Sequence, residues 1–200
     1  MNNSEHSRKC WEERYAKNET SWDVGYVTTP LKEYIDQLTN KDIKILIPGC
    51  GNAHEAQYLH EQGFSNVFVI DLAQQALDNL CERTLDFPLQ QLILGDYFTH
   101  TGQYDLILEQ TFVSSLEPRL RPAYAKKTYD LLVPNGKLAG VLFDFELDSG
   151  PPYGGTKCEY EGYFRKLFNI RTFQTCYNSI ESRKDIELFI TLERLAKIID

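Results

Sequence analysis

Side chains suited to ligand chemistry recur at a few places in the chain: Gly49-Cys50-Gly51, Asp71-Leu72, Asp96-Tyr97, Glu109-Gln110, and the pair Trp11 and Trp22. A Gly-x-Gly turn presents bare backbone, because glycine accepts positive φ and has no Cβ to hold a ligand away. An acid about 20 positions further on, at the tip of a second strand, is placed to accept from ribose hydroxyls. Leu72 offers an apolar rest for a purine, Asp96 an acceptor for its exocyclic amine, and Tyr97 an aromatic face. The pattern calls for a nucleoside-containing cofactor. A dinucleotide would need a small residue at the third place beyond Gly51, and His54 stands there. S-adenosylmethionine has no pyrophosphate to cradle, so the shorter turn suffices for it, with S-adenosylhomocysteine as the product.

These residues need a scaffold that gathers strand ends. Apolar runs predict strands over residues 43–48, 67–70, 91–94, 104–108 and 137–143, with an antiparallel pair at 168–177 and 187–194. Helices are expected before the loop at 18–21, from Pro30 with Thr29 as its N-cap, after the glycine turn with Gly63 as its C-terminal cap, and over 72–85, 119–132 and 159–167. The fold class is α/β: a Rossmann-like, mostly parallel seven-stranded sheet with one antiparallel strand and helices on both faces. In such a sheet ligands sit at the carboxyl edge, where the strand ends Gly49, Asp71, Asp96 and Glu109 would converge. A single domain is expected over residues 1–200, with residues 1–40 as an N-terminal lid. Trp11 and Trp22 within that segment suit an aromatic wall that stabilises a sulfonium by cation–π contact and excludes water.

Charge and composition exclude other classes. With 21 basic and 29 acidic residues the formal charge is −8, which lacks the basic face that nucleic-acid binding requires. The first ten residues are polar and no apolar run approaches a membrane span, so a cytoplasmic location without membrane contact is expected. Cys10, Cys50, Cys81, Cys158 and Cys176 are scattered and the histidines dispersed, which points to reduced thiols and no metal site. No extra apolar stripe is evident, and a monomer is expected.

Several segments together resemble the thiopurine S-methyltransferase family, in particular its thiol and halide methyltransferase branch. They are Trp11-Glu12, Trp22-Asp23-x-Gly25, Thr29-Pro30-Leu31, Ile47-Pro48-Gly49-Cys50-Gly51, Ile70-Asp71, Gly95-Asp96-Tyr97-Phe98, Thr111-Phe112, Arg121-Pro122-Ala123-Tyr124-Ala125 and Gly150-Pro151-Pro152-Tyr153. The resemblance implies cofactor contacts from Trp11, Trp22, Gly49, Asp71, Asp96, Tyr97 and Glu109, and substrate contacts from Tyr26, Phe112, Arg121 and Tyr153. Relatives of the plant type usually carry Arg where Tyr26 stands and Asp where Glu109 stands.

The implied reaction is an in-line transfer of a methyl group from S-adenosylmethionine to a small-molecule acceptor: a thiol, thiopurine, sulfide, halide or thiocyanate. Alignment supplies much of the rate, and a thiol ionises enough near neutral pH to make a dedicated base optional. Arg121 is placed to hold an anionic acceptor or lower a thiol pKa, and Tyr153 to polarise the nucleophile. Two other readings compete: a non-catalytic S-adenosylmethionine or S-adenosylhomocysteine binder acting through a partner, and a nicotinamide-dependent oxidoreductase.

Overall fold

A computed structural model describes residues 3–147 and 149–197; Asp148, in the loop before Gly150, lies outside them. Short apolar runs rich in Ile, Leu and Val make the strands. β1 (Ile45–Pro48) is buried throughout, as expected of a central parallel strand covered on both faces. Beside it run β2 (Val67–Asp71) and β3 (Leu92–Leu94) on one side, and β4 (Tyr104–Gln110) and β5 (Leu132–Phe143) on the other, all parallel. β7 (Glu187–Arg194) pairs antiparallel with both β5 and β6 (Phe168–Thr175). The order is β3-β2-β1-β4-β5-β7-β6, so β7 alone runs against the rest. Strand order reverses between β1 and β4, and a crevice opens outside the carboxyl ends at such a reversal.

The helices are α1 (Asn3–Ala16), α2 (Thr29–Asp36), α3 (His54–Glu61), α4 (Gln74–Arg83), α5 (Phe112–Ser115), α6 (Arg121–Leu131) and α7 (Lys157–Phe164). Leu31 and Ile35 of α2, Ala56 and Leu59 of α3, and Leu77 and Leu80 of α4 join β1 and β2 in one apolar cluster. Tyr124 and Ala125 of α6, Tyr160 and Phe164 of α7 and the C-terminal strands form the other.

Three local differences from the sequence expectation have physical causes. α2 starts one residue early, with Thr28 as the extended N-cap and Pro30 inside the first turn. β5 begins at Leu132 rather than Lys137: its register with β4 jumps from Tyr104↔Leu132 to Leu106↔Lys137, and Pro134-Asn135-Gly136 form an excursion within it, with Asn135 at φ 64°. α5 was not expected, because it starts after Thr111 at φ 60°, a conformation that threonine does not favour.

Candidate active site

The glycine turn leaves β1 with Gly49 at φ 53° and Gly51 at φ 55°, both in the left-handed region. Asp71, at the end of β2, braces it: Oδ2 accepts from Gly51 N at 3.1 Å and Oδ1 from Ala73 N at 2.9 Å. Burial raises the Asp71 carboxyl above its usual value, and those amides pull it back. Each carboxylate oxygen has a second lone pair, so Asp71 keeps capacity for two ribose hydroxyls. Leu72 is half-buried beside it. Asp96 is also half-buried; Oδ1 accepts from Phe98 N at 2.9 Å. Cys50 points into the core, with its thiol pushed well up by burial.

Aromatic rings roof the turn. A Cβ at Gly51 would meet Trp22 Nε1 at 3.6 Å and the Tyr15 hydroxyl at 3.7 Å, so both side chains stand where a side chain at this position would begin. Trp22 packs edge-on against Trp11, with centroids 5.3 Å apart, and against Tyr15 at 5.8 Å. Ala73 and Ala76 lie fully buried beneath this cluster, and their small side chains let α1 approach α4. At Gly49 an added Cβ would overlap the ring of Phe112, which rests edge-on against Tyr97 at 5.4 Å and Tyr124 at 5.9 Å.

Besides Cys50, the structure buries three expected contacts, Glu109, Tyr97 and Arg121, away from the crevice. Glu109 is wholly buried: Oε2 accepts from Tyr124 Oη at 2.5 Å and Oε1 from Val113 N at 3.1 Å, and burial pushes its carboxyl up to about 7. It holds the start of α5, and with it Phe112. Tyr97 turns into the core, where its hydroxyl meets Thr128 Oγ1 at 2.8 Å. Gln110 Oε1 accepts from Thr28 Oγ1 at 3.2 Å and ties β4 to the entry of α2. Arg121, expected to hold the acceptor, is 2% exposed. Its guanidinium pairs with Glu159 at 3.0 Å, donates to Gly154 O at 2.6 Å and lies over the Tyr160 ring. It tethers the Gly150-Pro151-Pro152-Tyr153 loop through its terminal nitrogens, Nη2 on the loop and Nη1 on Glu159, while Nε stays buried without a partner among the described residues. Tyr153 is half-buried, its N donating to Ser114 O at 2.7 Å, which lays that loop on α5. Tyr26 is 53% exposed.

Asp23, Asn52, His54 and Arg183 line the same region and escaped the sequence reading. Asp23 carried a signal in its place beside Trp22, and His54 in its place beyond the glycine turn, but neither was read as a partner of the other.

A parallel sheet closed by one antiparallel strand, a glycine turn after β1 and an acid at the tip of β2 define the class I S-adenosylmethionine-dependent methyltransferase fold. Solved structures agree. A 1,6-didemethyltoxoflavin-N1-methyltransferase of Burkholderia thailandensis, with bound S-adenosylhomocysteine, superposes with a TM-score of 0.75 at 17% identity, covering 94% of this chain and 87% of its own. Magnesium protoporphyrin IX methyltransferase of Synechocystis, with bound S-adenosylmethionine, gives 0.70 at 13% identity over 94% and 97%. The thiopurine S-methyltransferase family profile matches residues 6–198, and the chain belongs to that family. Thiocyanate methyltransferase 1 of Brassica oleracea is 31% identical over 160 residues, 76% of this chain and 68% of its own. A thiopurine S-methyltransferase of Nitrosospira multiformis is 24% identical over 185 residues, 82% and 84% respectively. The protein is an S-adenosylmethionine-dependent methyltransferase of small nucleophiles.

Proposed function

We propose that the acceptor is a soft sulfur nucleophile, a thiolate or sulfide before an inorganic anion. The bound cofactor supplies an already activated methyl group on its sulfonium. Asp71 and Asp96 would hold the nucleoside, Gly49 and Gly51 would admit it to the backbone, and Leu72 would support the purine. Trp11, Trp22 and Tyr15 would close over it, making the N-terminal segment a lid on a single domain.

The observation that carries the sulfur preference is the fate of the cations. Arg121 is committed to Glu159 and to loop carbonyls, Arg183 to Glu187 and the Trp22 carbonyl, and Tyr26 stands where relatives of the plant type usually carry Arg. What remains near Gly49 is aromatic: Phe112 backed by Tyr97 and Tyr124. Such a wall offers an anion no counter-charge, so an acceptor that can enter neutral and ionise in place, a thiol or hydrogen sulfide, pays less desolvation than one that is charged at every pH, such as thiocyanate or iodide. A free thiol, with a reference pKa near 8.5, supplies some thiolate without help from the protein. Five free cysteines support a reducing compartment such as the cytoplasm. Among the described residues no helix is long and apolar enough to cross a membrane.

Calorimetric titration with S-adenosylhomocysteine, followed by methyl transfer to hydrogen sulfide, a small thiol, thiocyanate and iodide, tests the proposal. One-site binding with turnover fastest on a sulfur acceptor is expected. Faster turnover of iodide would refute the sulfur preference. Asp71→Ala should weaken binding about tenfold or more, since two charge-assisted ribose contacts are lost, and should lower stability by less than that, by the cost of leaving the Gly51 and Ala73 amides without their acceptor. Unchanged binding by that variant would remove Asp71 from the site.

A further inference from the structure

The strap that carries Trp22 is fastened to the loop just after the glycine turn. Asp23 Oδ1 accepts from Gly25 N at 2.9 Å and meets His54 Nε2 at 2.8 Å, and Oδ2 accepts from Asn52 Nδ2. Asn52 is fixed in turn: its Oδ1 accepts from Asn79 Nδ2 at 2.7 Å, and its main-chain oxygen accepts from Arg83. The Asp23 and His54 side chains are 20% and 15% exposed, so the pair is largely withdrawn from water. The hydrogen bond from His54 is the foremost cause that holds the Asp23 carboxyl well below the usual range.

These bonds join parts of the chain that touch the cofactor site from opposite sides. Asn52, Ala53 and His54 follow Gly51 directly, and Ala53 holds a left-handed φ of 54° that sets where His54 begins α3. Asp23 follows Trp22, whose indole stands over Gly51. Across the crevice Arg183, at the end of the 3₁₀ turn before β7, donates to Trp22 O at 2.8 Å. The strap is thus pinned at its main chain from the C-terminal hairpin and at Asp23 from the glycine loop.

We propose that Asp23, His54 and Asn52 form a latch that sets the Trp22 indole over the glycine turn, acting as positioning residues for methyl transfer. The inference rests on the lid reading above. On the lid reading the strap covers bound adenosine, so it parts and recloses with each exchange of cofactor for product. A polar latch suits this, because its bonds exchange with water at little net cost while their direction restores a single geometry. Apolar packing alone would return the indole to the surface without fixing its place.

Trp11→Phe leaves Trp22 as the only tryptophan and makes its emission a reporter. In that background Asp23→Ala, His54→Ala, the double variant and His54→Gln are compared by S-adenosylhomocysteine calorimetry and by Trp22 emission with and without the ligand. Each alanine variant should weaken binding roughly tenfold, the scale of a charge-assisted hydrogen bond, and shift ligand-free Trp22 emission to the red. The double variant should be no worse than either single, as for two halves of one contact. His54→Gln, whose amide can still donate to Asp23, should recover most of the affinity; it decides the matter if the alanine variants melt early. Affinity and emission unmoved in both single variants, or losses that multiply in the double, would overturn the latch. Trp22→Phe separates the two readings. If it binds S-adenosylhomocysteine as tightly as the parent, the lid reading falls and the latch with it. If it binds weakly while Asp23→Ala and His54→Ala do not, the latch alone falls.

Discussion

Replacing Glu109 by Gln should change how stability depends on pH more than it changes the fold. Glu109 is wholly buried, and desolvation raises its carboxyl from 4.5 to about 7, against hydrogen bonds from Tyr124 Oη and the Val113 amide. The folded protein therefore binds a proton that the unfolded chain has released between those two values. Stability from this group is fully present below the unfolded pKa and is lost as pH rises through the folded one. A rise of this size corresponds to about 3 kcal/mol. Between about pH 5.5 and about pH 8.5 only the upper part of the window is crossed, so about 2 kcal/mol should be lost in the wild type. In Glu109→Gln the amide oxygen can still accept from Val113 N, and its NH₂ can donate to Tyr124 Oη if that hydroxyl turns its own proton to Thr128. Neither role carries charge, so the loss should vanish. Urea unfolding of both proteins across that range gives the difference, in which the histidines and other shared groups cancel. Parallel stability curves would refute the argument, and would mean that Glu109 titrates alike in both states.

Other consequences follow from single contacts. Gly49→Ala places a Cβ in the Phe112 ring at a left-handed φ, and should cost about 2–4 kcal/mol in denaturant unfolding; adding Phe112→Ala should return part of it. Arg121→Ala removes the cation from Glu159, which keeps only the Tyr163 hydroxyl, and the donor from the Gly154 carbonyl, and should cost about 3 kcal/mol, with Arg121→Lys unable to rescue because one ammonium cannot reproduce the fork. Tyr26→Arg supplies a cation on an exposed strap and should raise the ratio of thiocyanate to thiol turnover about tenfold, read by competition in one reaction mixture.

The sheet was legible in the sequence because its strands are short apolar runs bounded by glycine, proline and acids, and because helical spacing separates them. The lid and the loop after β5 were less so. Arg121 reads as a free cation until the fold brings in Glu159, 38 positions later, and the carbonyls of Gly154 and Tyr153. Asp23 and His54 lie 31 positions apart, and neither carries a pattern that announces the other. α5 is one turn that starts from a strained threonine, which no propensity would select.

The strand ends show most plainly where sequence reasoning stops. Chemistry-bearing residues came in consecutive pairs: Asp96-Tyr97 and Glu109-Gln110. In these two pairs one member turns into the core while the other stays at the edge, whereas Asp71 and Leu72 both stay half-buried at the end of β2. Asp96 stays half-buried at the edge while Tyr97 turns into the core, and Glu109 goes inside while Gln110 remains partly exposed. The buried member is not idle. Tyr97 backs Phe112, and Glu109 fixes the amide that starts the turn bearing Phe112, so each core residue places a ring that stands at the glycine turn. A substitution at either position should therefore reach methyl transfer through Phe112, and Glu109→Gln, which keeps both hydrogen bonds, should leave turnover nearly intact while flattening the stability profile.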